Sequence, residues 1–476
     1  MLFTSLEFLL FFFPVTLGVN FLLPKSGGWR NYWLLLASLF FYAWGEPSFV
    51  IVMICSIVFN YFMALHIEEM PKGSRGRKGM LILAVLANIA ILFVFKYMNF
   101  VTQNLRAAFP SLQSSVPQTE FVLPIGISFF TFQAMSYIID VYRGTPAQKN
   151  LGYLGLYISL FPQLIAGPIV RYTTVMDQIG KREITWDGFS DGMMRFLYGF
   201  NKKMLLSNLL AVVADAAFDG GQSVAMAWLG AIAYSLQIYF DFSGYSEMAI
   251  GLGSMFGFKF LENFNYPYIS KTVTEFWRRW HISLGSWFRD YVYFPLGGSR
   301  VKTKARLILN LSVVWLLTGI WHGASWNFVA WGVLHGAVII FEKTLDLPKK
   351  LSGKKVPAAF YRAGVLLVVV LGWVLFRADG LSNGLTYWKA MFGLNGNAFI
   401  DDTFLFNIRE YGVILAAGLL CSTPLLRKCR EKLQTFGKKP EALWEWGGEA
   451  VQMLLFIVGI SFLIMNAHNP FIYFNF

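Results

Sequence analysis

The sequence predicts an all-α, polytopic membrane protein, on three observations. The 476 residues are 56% hydrophobic and 18% aromatic, with a mean hydropathy of +0.51. Only 14% are charged, against about a quarter in a soluble domain. Apolar runs repeatedly reach the roughly 17 to 25 residues that cross a bilayer as helix. They are continuous rather than alternating, which excludes an outer-membrane barrel.

In chain order, Ser5 to Leu23 reads as the first span, kinked at Pro14. Met1 to Glu7 lacks a basic n-region, so a retained span is expected rather than a cleaved signal. Tyr32 to Trp44 and Pro47 to Leu65 follow, the second short enough to suggest tilt or a break. Met80 to Phe100 and Phe121 to Val141 come next. Between Gly152 and Val170, FPQLIAGPIVR (Phe161 to Arg171) carries the prolines and glycine of a broken or re-entrant helix. Met193 to Ala217 is interrupted at Asn201-Lys202-Lys203, and Ala225 to Phe258 is a span with a bent continuation. Leu307 to Ile320, Trp326 to Phe341, Val365 to Phe376, Tyr411 to Leu420 and Val451 to Ile464 complete about eleven or twelve membrane segments. A single membrane domain over residues 1–476 is expected, with no visible repeat.

The net charge of +13, from 40 Lys and Arg against 27 Asp and Glu, is read as positive-inside bias rather than a nucleic-acid surface. Lys271 to Arg306 holds eight basic residues against two acids, and Arg427 to Lys439 six against one. Arg377 to Glu410 holds three against four. One topology satisfies this alternation: basic segments cytoplasmic, both termini on the far side. Leu307 to Phe341 then enters and leaves on the cytoplasmic side, with His322 at the turn near mid-membrane. Cys55, Cys421 and Cys429 form no CxxC pair, so neither a disulfide framework nor a zinc site is implied.

The chemistry concentrates between Glu275 and His335. In EFWRRWHISLGSWFRDYVYFPLGGSR, residues Trp277, His281, Leu284, Phe288 and Tyr291 are spaced 4, 3, 4, 3 and share one helical face. This is an amphipathic interfacial helix, with Arg278 and Arg279 turned to lipid phosphates or to a phosphorylated donor. Further on, LTGIWHGASWN (Leu317 to Asn327) breaks an apolar segment. A histidine there is costly unless it is hydrogen-bonded or used. A neutral imidazole at His322 can take the proton of a hydroxyl that attacks an acyl group. Gly319 and Gly323 allow close backbone approach, Trp321 and its neighbouring tryptophans wall an acyl chain, and His281 can hold the acyl carbonyl or developing oxyanion. Trp321, Asn327 and Asp241 join Arg278 and Arg279 as candidate substrate contacts. Asp241 and Glu247, in YFDFSGYSEMAIGLG, have the alternative of hydrogen-bonded structural carboxylates. His66 is expected on a solvated helix end, His335 as a hydrogen-bonded packing residue, and His468 at the interface.

These residues also carry a resemblance. RRWHISLGSWFRDYVYFPLGGSR, LTGIWHGASWNF, YFDFSGYSEMAIGLG, ENFNYPY (Glu262 to Tyr268), FPQLIAGPIVR and the opening FLLFFFPVTLGVNFLLP resemble the membrane-bound O-acyltransferase family. The similarity is to its bacterial branch of alginate and peptidoglycan O-acetyltransferases, and it covers essentially the whole chain. It implies a ring of helices around a central tunnel, His322 as the catalytic histidine, and acyl transfer from a cytoplasmic thioester across the membrane. His281 stands where many eukaryotic members have asparagine, which leaves it as base, positioning group or neither.

The expected donor is acetyl-CoA, with a D-alanyl or other carrier-protein thioester as runner-up. No bound cofactor or metal is expected. Expected partners are membrane lipid and a separate extracytoplasmic transferase, at the bacterial inner membrane. Alginate is the favoured final acceptor, with peptidoglycan or cellulose as alternatives. The rival of another class is a proton-coupled transporter or flippase, suited by broken helices and intramembrane Asp241 and His322. A serine hydrolase is disfavoured on the expectation that no GxSxG motif is present.

Overall fold

A computed structural model describes residues 1–220, 223–351, 353–435, 438–465 and 472. Every regular element among the described residues is helical. Six helices are long and apolar enough to cross a bilayer: Phe49–Glu69, Arg75–Ala108, Lys304–His322, Lys355–Arg377, Asp402–Cys421 and Trp444–Ile464. Phe8–Leu22 is apolar but shorter. The chain is a multi-pass membrane protein. The expected eleven or twelve membrane segments also took in Trp29–Gly45, Ile127–Arg143, Val224–Met255 and Trp326–Thr344, which miss that standard. Packing within the protein explains the shortfall for Ile127–Arg143, whose Ser128, Thr131, Gln133, Ser136 and Asp140 are buried. A helix covered by protein tolerates polar residues that lipid would exclude.

By internal packing the described chain forms two compact units. The first comprises Met1–Met193 and Met248–Leu261. Its Phe8–Phe12 segment is a widened π turn feeding helix Phe13–Leu22, whose first turn contains Pro14. Proline has no N–H to give the preceding turn, so the expected kink takes this form. Phe3, Phe8, Phe12, Phe41 and Phe161 pack together, with centroids 5.0 Å apart for Phe3–Phe8 and 5.2 Å for Phe12–Phe161. The break expected in FPQLIAGPIVR is present. Helix Leu151–Ser159 ends at extended Leu160, a single turn covers Phe161–Leu164, and residues 165–170 are irregular and wholly buried.

The second unit comprises Met194–Glu247 and Glu262–Phe476. The interruption at Asn201-Lys202-Lys203 is a π turn, Lys202–Ser207, inserted between helices Trp186–Asn201 and Asn208–Phe218. The centre of this unit is an antiparallel hairpin of Lys304–His322 and Trp326–Thr344, each 19 residues. Glycines let its legs touch backbone to backbone. A Cβ on Gly319 would lie 2.6 Å from the Phe328 carbonyl oxygen, and one on Gly332 2.6 Å from that of Trp315. Each leg is about 28 Å long, close to the ~30 Å hydrocarbon thickness. An upright hairpin with Lys304 at one interface therefore carries His322 to the opposite edge, and the expected mid-membrane depth requires tilt.

The hairpin tip is held from outside. Asn327 Nδ2 donates to the carbonyls of Leu375 (3.1 Å) and Ala378 (3.0 Å), fastening Trp326–Thr344 to the end of Lys355–Arg377. Gly372 of that helix lies against His335, where a Cβ would come 2.6 Å from Nε2.

Candidate active site

The expected continuous amphipathic helix from Trp277 to Tyr291 is not formed. Val273–Arg279 and Ile282–Phe288 are separate helices, and a π turn follows at Arg289–Tyr293. Between them His281 adopts φ 45°, ψ 54°, the left-handed region. A β-branch-free but non-glycine residue there costs about 1–3 kcal/mol and persists only when its surroundings over-determine it.

Asn263 supplies that determination. Its carbonyl accepts from the Ile282 N–H (3.0 Å), and its side-chain Oδ1 accepts from the Ser283 N–H (3.2 Å) and Ser283 hydroxyl (2.9 Å). His281 Nδ1 lies 3.2 Å from the same Oδ1, and Asn263 Nδ2 donates to Ser246 Oγ (3.0 Å). One turn away the Asn265 N–H donates to the Arg279 carbonyl (2.9 Å), and the Arg279 guanidinium donates back to the Asn265 carbonyl (3.1 Å). The kink thus turns His281 into the protein rather than along an interfacial stripe. It is 2% exposed, its ring edge-on to Phe242 at 4.6 Å.

The arm is also anchored at its start. The Glu342 carboxylate is wholly buried and accepts from the N–H groups of Val273 (2.6 Å) and Thr274 (2.8 Å). It accepts as well from the hydroxyls of Thr274 (2.6 Å) and Tyr361 (2.8 Å). A carboxylate at a helix N-terminus is favoured both by the unpaired N–H groups and by the helix dipole.

His322 is the last residue of its hairpin leg and is 5% exposed. Its ring meets Trp321 and Trp331 at 4.9 Å and Phe376 at 5.1 Å, each edge-on. Trp321 also lies 6.2 Å from the His281 ring. Both imidazoles therefore lie against one indole, His322 also among Trp331 and Phe376 and His281 beside Phe242. Burial of this kind strengthens any electrostatic interaction made there.

The other expected contacts divide. Arg278 is exposed. Arg279 is engaged structurally, pairing through Nε (2.9 Å) and a terminal nitrogen (2.8 Å) with Glu275 as well as with Asn265. Asp241 forms a buried ion pair with Lys203 at 2.6 Å and accepts from the Ile472 N–H at 3.1 Å. This is the structural-carboxylate alternative, as is Glu247, which pairs with Arg195 at 2.5 Å. Asn327 spends its amide N–H groups on the tip fastening described above. His335 accepts from Trp277 Nε1 (3.3 Å) and packs at 5.1 Å on the Trp277 and Trp331 rings, as a hydrogen-bonded core residue. His66 ends an exposed helix turn. His468 lies outside the described residues.

A GxSxG spacing does occur, at Gly380-Leu381-Ser382-Asn383-Gly384, contrary to expectation. It opens helix Leu381–Met391 directly after helix Lys355–Arg377. A nucleophile elbow needs a strand leading into the turn, so this spacing makes none.

Sequence reasoning missed Asn263, Ser283 and Glu342. Glu342 had a signal, an acid at the end of an apolar helix; Asn263 had only its place in ENFNYPY.

A family model described as the membrane-bound O-acyltransferase family matches residues 151–376. The chain is 44% identical over 398 residues to a probable alginate O-acetylase of Azotobacter vinelandii, covering 82% of this chain and 78% of that one. It is 40% identical over 495 residues to a probable alginate O-acetylase of Pseudomonas putida, covering all of both chains. It is 33% identical over 522 residues to a peptidoglycan O-acetyltransferase of Helicobacter pylori, covering 100% of this chain and 98% of that one.

Proposed function

This chain belongs to the membrane-bound O-acyltransferase family, and on that premise we propose that it moves an acetyl group from a cytoplasmic thioester to a polysaccharide outside the membrane. The polysaccharide is alginate, on the similarity to two probable alginate O-acetylases. The donor is acetyl-CoA, the membrane is the bacterial inner membrane, and a separate extracytoplasmic transferase completes delivery.

One observation carries the site assignment: two buried imidazoles lie against a single indole, among aromatic rings. Acyl transfer needs a neutral base for the attacking hydroxyl and a dry, walled space for the thioester. In the transfer the hydroxyl oxygen bonds to the acyl carbon while its proton passes to an imidazole nitrogen. The carbon–sulfur bond breaks, and the proton returns to the departing thiolate. Arg278, exposed on the arm, is the residue offered to the phosphates of the donor.

The acceptor is tested by polysaccharide chemistry. In a strain lacking this gene, restoring it is expected to restore ester-bound acetate on alginate, and the His322→Ala form to leave alginate unacetylated. Acetate restored only to peptidoglycan or cellulose, or D-alanyl ester in place of acetate, would overturn the acceptor or the donor assignment respectively.

A further inference from the structure

At the end of the hairpin away from His322 the fold sets two cations side by side. Lys343 lies just past the apolar part of helix Trp326–Thr344, half-buried, its ammonium 5.2 Å from the centre of the Tyr293 ring. Arg278 stands exposed on the short arm helix Val273–Arg279. Glu342 brings them together, because its carboxylate binds the N–H groups of Val273 and Thr274 and so lays the start of the arm against the residue before Lys343. Arg278 is one turn beyond Thr274, on the same face of the arm. Burial, and then the Arg278 guanidinium, hold the Lys343 ammonium below its ordinary pKa range, with Glu342 opposing. Each Glu342 oxygen already accepts two hydrogen bonds, from Val273 and Tyr361 and from the two donors of Thr274, so its charge is committed to the arm. Among the described residues neither Lys343 nor Arg278 makes an ion pair. Two neighbouring like charges are relieved by an anion shared between them.

One helix sets the distance from this pair to the site. Trp331, 4.9 Å from the His322 ring, and Lys343 are twelve residues apart on Trp326–Thr344, about 18 Å along its axis. Trp277 packs on Trp331 at 5.2 Å and on His335 at 5.1 Å, so an aromatic surface runs between the two ends. The extended pantetheine arm of a CoA thioester spans roughly 17 Å from diphosphate to sulfur, at peptide-like bond lengths. A diphosphate held at Lys343 and Arg278 therefore sets the thioester at His322.

We propose that Lys343, together with Arg278, binds the diphosphate of the acetyl-CoA donor, and that these two cations select CoA over a phosphopantetheinyl carrier protein. A carrier offers the same arm but a single phosphodiester charge, which one cation satisfies, whereas a diphosphate takes both. Tyr293 holds the ammonium in place through its ring face. This role rests on the proposed function above, which supplies the thioester, and adds the residue that reads its far end.

Lys343→Gln tests it with two donors, acetyl-CoA and S-acetylpantetheine, the second lacking every phosphate. On purified full-length protein in detergent, kcat/KM for acetyl-CoA is expected to fall about 10–100-fold, mostly through KM, for one lost hydrogen bond between charged groups. With S-acetylpantetheine kcat/KM is expected to stay where it was, and Lys343→Arg to keep most of the turnover of acetyl-CoA. CoA binding followed by calorimetry is expected to weaken by the same factor, which reads the contact whatever the rate with the truncated donor. Equal losses with both donors would make Lys343 a structural residue. No loss with acetyl-CoA or in CoA binding would leave it facing lipid phosphate, and either result overturns the proposal. Wild type that ignores acetyl-CoA but accepts an acetylated carrier protein would instead overturn the donor reading on which it rests.

Discussion

His322 and His281 illustrate how differently two histidines of one sequence can be held. His322 ends a long helix against three aromatic rings, whereas His281 sits at a strained kink tied down by Asn263. The neighbouring arginines differ as well. Arg279 is tied to Glu275 and Asn265, so Arg279→Glu puts like charges one turn apart and removes the bond to Asn265. A lower unfolding temperature is expected for it, corresponding to about 0.5–2 kcal/mol. Arg278→Glu is expected to leave that temperature unchanged while raising the KM for acetyl-CoA. Thermal unfolding and donor titration on the two variants check this; identical behaviour would mean the arginines share one role. At this scale the histidines were legible, because a lone imidazole in apolar sequence is conspicuous. Their partners were not: Asn263 lies 18 residues from His281 and meets it only through a fold-dependent crossing.

At the scale of elements, hydrophobic periodicity located the helices but misjudged their continuity. The spacing from Trp277 to Tyr291 fits one helix, yet two tertiary locks, Glu342 at its start and Asn263 at its middle, divide it. Local pattern lost to buried hydrogen bonds, which are costly to leave unmade. Where the break was covalent, as with the prolines and glycine of FPQLIAGPIVR, the sequence showed it directly. The hairpin is the element on which the site depends most. Gly332→Ala would place a methyl 2.6 Å from the Trp315 carbonyl oxygen, with backbone rather than a flexible side chain in the way. The legs must part, at a cost of about 1–3 kcal/mol. Its unfolding temperature and turnover are expected to fall together, whereas Gly364→Ala, with nothing within 4 Å, should leave both unchanged.

For the whole molecule, membrane insertion was legible from composition, and the alternation of basic and mixed segments proposes an orientation. The proposed orientation puts Arg427 to Lys439 inside, and that segment contains exposed Cys429. With Cys55 and Cys421 replaced by serine, a membrane-impermeant maleimide should label Cys429 only after the cells are permeabilised. Labelling of intact cells would reverse the topology, and with it the side from which the donor is taken.

The most direct test of acyl transfer at His322 uses purified protein with radiolabelled acetyl-CoA. Free CoA release is compared for wild type and His322→Ala, both eluting as folded protein in detergent. Release by wild type that falls about 10²–10⁴-fold in the variant is the expected result. Equal release from both would contradict the assignment of the chemistry to His322.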